Sequence, residues 1–134
     1  MSKENARLTL GDLFPRRWVS GRSLASPILI KLVRLEVAAV HPRPGVEEQA
    51  HVLRFEVLDG VTRQPIQLAG HERTAAGYGL ILTRRLAEQI AAAVGTDALD
   101  AWPGSLVVLE ATTLNGKRVL TARRPKQPAT PNTT

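Results

Sequence analysis

Apolar and polar residues alternate along much of this chain, and where the alternation stops the spacing becomes helical. Leu53, Phe55 and Val57 alternate with Arg54 and Glu56. That pattern predicts a strand over residues 51–58, with the apolar set facing in and Arg54 and Glu56 facing out. A longer strand is predicted over residues 28–40. Its first half places Ile28, Ile30 and Leu32 on one face. From Val33 the apolar set becomes Val33, Leu35, Val37 and Ala39, with Arg34 and Glu36 opposite. A change of parity within one strand predicts a bulge, a strong bend or two buried faces. Pro27 stands at the edge of this strand, where a missing N–H is tolerated.

Residues 80–124 carry a second pattern. Leu80, Ile81 and Leu82 form a short apolar run, and Thr83 follows as a helix N-cap. Leu86, Ile90 and Val94 then recur at every fourth position beside Ala87, Ala91 and Ala93, and Gly95 is the stop. A polar turn ends at Trp102-Pro103-Gly104. Strands over 105–113 and 118–123 are joined by Leu114-Asn115-Gly116-Lys117, an Asn-Gly turn signal. Between the two patterns, residues 41–45 read as a rigid loop and Asp59-Gly60 as a turn. Residues 64–69 read as a short strand, and residues 70–79 as a Gly-rich loop. The expected fold is therefore all-β with one helix: a five-stranded barrel with an α-helix between strands 3 and 4. Closing a small barrel requires its first strand to bend, in keeping with the parity change. Barrels of this kind are common readers of single-stranded nucleic acid, although a fold alone does not carry a function.

Length and composition make this one domain with tails. Residues 1–13 are expected to be a flexible arm, 14–125 the barrel domain, and 126–134 a disordered tail rich in Pro, Thr and Asn. There are no cysteines, which excludes a disulfide framework and thiolate chemistry. The apolar run from Ile28 to Val40 is broken by Lys31, Arg34 and Glu36, so it is no membrane span. The N-terminus lacks the apolar core of a signal peptide. A cytoplasmic protein with no membrane contact is expected.

Charge changes the picture more. The net charge is +6. Arg16, Arg17, Arg22, Lys31 and Arg34 follow one another with no acid between them, as do Lys117, Arg118, Arg123, Arg124 and Lys126. The rest of the chain holds 8 bases and 12 acids, so the whole positive excess sits in two segments. Clustered charge of this kind attracts polyanions.

Catalytic motifs are lacking. His41, His51 and His71 are too far apart for metal-ligand spacing. His71-Glu72 begins like a zinc-protease motif, but the second ligand position is Ala75. Gly77-Tyr78-Gly79 is no phosphate loop, because no helix with a Lys follows it. Asp97 and Asp100 read as capping or solvated carboxylates rather than an acid–base pair. No enzyme activity, metal or cofactor is expected. Single-strand binders stack bases on aromatic rings within a basic groove. Of the five aromatic residues, Phe55 faces the core and Trp102 sits at a structural corner. Trp18, flanked by Arg16, Arg17 and Arg22, is the first stacking candidate, and Tyr78 the second.

Several motifs together resemble a family of small proteins of phages and mobile elements. They are Leu80-Ile81-Leu82-Thr83, Gly95-Thr96-Asp97, Asp100-Ala101-Trp102-Pro103-Gly104, Gly116-Lys117 and Ala122-Arg123-Arg124-Pro125, with Phe14-Pro15-Arg16-Arg17-Trp18 near the start. Thr83-Arg84 and Gly104-Ser105 depart from that family's Asn-Lys and Gly-Lys. The resemblance implies a barrel of the oligonucleotide-binding (OB) type and a replication or recombination accessory role. The resulting expectation is a single-stranded nucleic-acid-binding protein, DNA before RNA, of low sequence specificity, with self-association left open. Its binding residues would be Arg16, Arg17, Trp18, Arg22, Lys31, Arg34, Tyr78, Lys117, Arg118, Arg123 and Arg124. The competing expectation is a protein-interaction or structural module of a phage or mobile element that binds no nucleic acid.

Overall fold

The computed structural model describes residues 15–125, without the side chains of His41 and Pro42. The expected arm and tail, together with Phe14 and Lys126, lie outside the described residues. Five strands and one helix make up the fold: β1 (Ile28–Arg43), β2 (Val46–Leu58), β3 (Tyr78–Ile81), α1 (Arg84–Val94), β4 (Leu106–Leu114) and β5 (Lys117–Arg123). A short 3-10 turn, Leu99–Ala101, precedes β4. All neighbouring strands are antiparallel, in the order β3-β2-β1-β4-β5.

Local chemistry explains most of these elements. The Thr83 hydroxyl caps α1 by accepting from Leu86 N at 3.2 Å. Gly95 ends the helix in the left-handed region at φ 96°, with its N–H on Ala91 O. Asn115 (φ 52°) and Gly116 (φ 79°) form the two-residue turn between β4 and β5, where positive φ at both positions matches the strand twist. The parity change in β1 is a bulge. Leu32 pairs with Phe55 and Arg34 with Arg54, leaving Val33 as the extra residue. Leu35 therefore returns to the side of the core, opposite Leu53.

The β1–β2 hairpin runs further than expected, because the ladder continues to Arg43 opposite Val46 and the turn shrinks to Pro44-Gly45. Residues 64–69 do not form a strand. They make only an isolated bridge, Leu58 to Pro65, and Ile66 N donates to Val57 O at 2.9 Å. The third strand is Tyr78–Ile81.

The expected closure is absent: the sheet is open, with β3 and β5 as its edges. A barrel with this strand order would close by pairing those two edges. Here β3 has four residues, and residues 16–24 form a strap in the space between. Val19 N donates to Gly79 O of β3 at 2.8 Å. Gly21 lies against β5 so closely that a Cβ on it would stand 2.5 Å from Arg118 O. The helix follows β3 in the chain. In space it packs on β5 and β4 rather than between β3 and β4.

The core lies between the inner face of the sheet, α1 and the strap, around Phe55, Ile30, Leu80, Ile90, Leu109 and Trp102. Trp102 Nε1 donates to Thr96 O at 3.0 Å. The next residues tie this corner to β1, with Gly104 N on Leu32 O at 2.7 Å and Leu32 N on Ser105 O at 2.9 Å. Among the described residues no helix is long and apolar enough to cross a membrane.

Candidate nucleic-acid interface

Side chains alternate across a strand, so residues opposite the core share the outer face of the sheet. On β1 these are Lys31, Arg34 and Glu36; on β2 they are Arg54 and Glu56; on β3 they include Gly79. The strap adds Arg17 and Trp18. Because Gly79 has no side chain, the Trp18 ring and the Arg54 guanidinium both come down on it. A Cβ there would lie 3.0 Å from Trp18 Cζ3 and 2.6 Å from Arg54 Nη1. The Arg17 guanidinium sits 4.7 Å from the Trp18 ring centroid, and that of Arg54 sits 5.5 Å away. Cations attracted to the ring in this way hold a half-buried indole in a basic setting.

Two carboxylates are threaded through these bases. Glu36 takes Arg34 Nε at 3.1 Å on one oxygen and Arg54 Nε at 3.0 Å on the other. The hydrogen bond from Arg54, with Arg34 beside it, holds the Glu36 carboxyl below its usual range against a smaller opposing effect of burial. Glu56 is gripped by Arg73 through Nε and Nη2. The face thus carries Arg17 and Arg54 at the Trp18 ring and Lys31, Arg34 and Arg73 beyond them, against Glu36 and Glu56. Arg54 and Arg73 were absent from the expected set. The alternation placed Arg54 on the outer face, but nothing local showed that Trp18 would cover it; its side chain is only 10% exposed.

The strap is anchored at its start by a loop. Arg16 N donates to Gly70 O and Glu72 N to Arg16 O, at 2.8 and 2.9 Å. His71, which lacks metal-ligand spacing in the sequence, joins this anchor through both ring nitrogens: Nδ1 to Ala69 O at 3.0 Å and Nε2 to Ser23 Oγ at 2.9 Å. The Arg16 side chain is exposed.

The other expected residues divide. Arg22, exposed on the strap, follows the Gly21 contact with β5, and Arg118 Nη2 donates to Leu24 O at 3.3 Å. Lys117 and Arg118 therefore meet the first basic segment at the end of the strap. Arg123 and Arg124 do not. They lie about 17 Å further along β5 at ~3.3 Å per residue. Arg123 is paired with Glu110 at 2.8 Å, and Arg124 is turned onto Ala93 O at the end of α1. Tyr78 is 2% exposed, with its hydroxyl accepting from Leu68 N at 2.7 Å and its ring 6.3 Å from that of Phe55. Its alternation with Gly79 turns it inward, so no face of it is open to a base.

Beside the strap is an apolar cleft of ≈ 450 Å³, lined by residues that include Trp18, Val19, Ile81, Leu86, Val119 and Leu120. It occupies the rest of the space between β3 and β5. No group of three or more His, Asp or Glu side chains that could hold a metal occurs among the described residues. Comparison with known proteins gives no match among family models, curated proteins or solved structures.

Proposed function

We propose that this protein binds single-stranded nucleic acid, DNA before RNA, without catalysis and with little sequence preference. The reading rests on one observation: the half-buried Trp18 ring has the Arg17 and Arg54 guanidiniums 4.7 and 5.5 Å from its centroid, on a face that also carries Lys31, Arg34 and Arg73. Bases stack on aromatic faces whatever their identity, and phosphates are held by the surrounding cations. Arg22, Lys117 and Arg118 extend the track at the end of the strap; Arg123 and Arg124 contribute only general attraction.

The strand order supports relating this sheet to an OB-type barrel, opened between β3 and β5 and spanned there by the strap. The resemblance to small proteins of phages and mobile elements points to the same class. A cytoplasmic accessory to replication or recombination is the setting that fits it.

The test is fluorescence anisotropy of a labelled oligonucleotide at low and moderate salt. Binding is expected at ~20 mM salt and should weaken steeply as salt rises, because phosphate contacts release counterions. No binding at ~20 mM would overturn the reading.

The apolar cleft favours a second reading, a protein-interaction or structural module without nucleic-acid binding. Ile81 (38% exposed) and Leu114 (44%) stand at the surface beside it. Light scattering with and without the oligonucleotide separates the two, since this reading expects a defined oligomer independent of nucleic acid.

A further inference from the structure

Arg54 is the buried charged residue among the described residues. Its side chain is nine-tenths buried, with 10% exposed. A guanidinium carries five N–H donors in a planar fork, yet only Nε is hydrogen-bonded, to Glu36 at 3.0 Å. Nη1 and Nη2 have no hydrogen-bond partner among the described residues. Buried donors are normally paired, and an unpaired one marks a place for a missing partner. Arg34 lies directly across the ladder from Arg54 and also gives Glu36 only its Nε, at 3.1 Å. Its side chain is 60% exposed, so this side of the pair is open to solvent.

We propose that Arg34 and Arg54 form a binding site for one phosphodiester group of the nucleic-acid strand, on the footprint that the Glu36 carboxylate occupies in the free protein. The inference rests on the nucleic-acid reading and adds to it a particular site and a competitor. A phosphate offers more acceptor oxygens than a carboxylate and suits the forked geometry of arginine. Glu36 is 27% exposed, so its carboxylate has solvent to move into when displaced. In the free protein it supplies the anion without which Arg54 would be a buried, unpaired charge. A phosphate held here lies beside the Trp18 ring, 5.5 Å from the Arg54 guanidinium, so phosphate and stacked base come from neighbouring parts of one strand.

A carboxylate anywhere on a phosphate-binding face opposes binding by repulsion; at Glu36 the effect is larger, because the carboxylate occupies the site itself. Glu36 competes with the ligand, and removing its charge strengthens binding. The test titrates a labelled thymidine oligonucleotide with the wild type, Glu36→Gln and Arg34→Gln over a range of salt, with circular dichroism to confirm folding. Gln keeps an acceptor for Arg54 and removes the charge. Glu36→Gln should bind about threefold tighter or better at ~50 mM salt, with a similar log–log salt slope because the same phosphates are held; Arg34→Gln should bind more weakly, with a slope shallower by ~0.7. If the wild type binds and Glu36→Gln is equal or weaker, the phosphate site is overturned and the general reading stands. If Glu36→Gln does not fold, Arg34→Gln decides, and wild-type affinity in that variant overturns the site. If no form binds at ~20 mM salt, both inferences fall.

Discussion

The two tryptophans show how one side chain serves two ends. Trp102 is 2% exposed, its indole N–H is bonded to Thr96 O, and the chain around it is tied to β1. Trp18 is half-buried, its N–H has no partner among the described residues, and its nearest charged neighbours are Arg17 and Arg54. Each sits in an irregular segment that joins separated strands. The Trp102 corner contributes its whole ring to the core. The strap contributes Val19 to the core and leaves Trp18 half-buried, at the outer face and in the lining of the apolar cleft. Satisfied polar atoms and apolar neighbours mark Trp102 as a structural anchor; the unpaired N–H and neighbouring guanidiniums of Trp18 are what the proposed binding role draws on.

That contrast is broken most forcefully at Trp102. Trp102→Ala should cost about 3–5 kcal/mol, read as a fall in the urea midpoint, because the cavity opens among rigid strands. Next comes the glycine that seats Trp18. Gly79→Ala forces a Cβ into Trp18 and Arg54. The expected cost is about 1–3 kcal/mol, together with weakened oligonucleotide binding as the ring is lifted from its seat. Trp18→Ala should move stability less than Trp102→Ala, while reducing oligonucleotide affinity by about tenfold, within the ~1–3 kcal/mol of a stacked base. Equal losses of stability from Trp18→Ala and Trp102→Ala would erase the distinction.

The smallest expected effect is a pH dependence confined to the outer face. The folded-state pKa of Glu36 lies below the ordinary glutamate value of about 4.5, chiefly through the hydrogen bond from Arg54. A depressed carboxyl contributes stability that is complete above the unfolded value and is lost as pH falls through the folded one. The wild type should therefore lose stability on acidification below pH 4.5 more steeply than Glu36→Gln, while the two run parallel above it. Identical acid limbs in urea titrations would contradict the Arg34–Glu36–Arg54 arrangement.

Features written within a few residues of one another were legible in the chain. Thr83 and Gly95 bracket α1, and Asn115-Gly116 makes the β4–β5 turn, because caps and tight turns depend on local φ, ψ and side-chain oxygens. The bulge at Val33 was legible because a period-2 pattern records its own slip. Features made by distant segments were not. Arg54 reads as solvent-facing until a strap more than thirty residues upstream is laid over it, and Tyr78 reads as a loop aromatic until β3 pairs with β2 and turns it inward. Closure by a strap instead of a β3–β5 pairing had no local signature either. The basic segments were visible as charge, but the separation of Arg123 and Arg124 from the rest follows from the direction of β5 and the end of α1.

The central claim is that the outer face around Trp18 takes a single-stranded nucleic acid. Its most direct test is the pair of indole N–H signals in a ¹H–¹⁵N correlation spectrum, one from each of the two tryptophans. On addition of a thymidine oligonucleotide at low salt, the Trp18 signal should shift or broaden while that of Trp102, buried and bonded to Thr96 O, stays in place. Two unmoved signals at saturating oligonucleotide, or movement of Trp102 alone, would contradict the account.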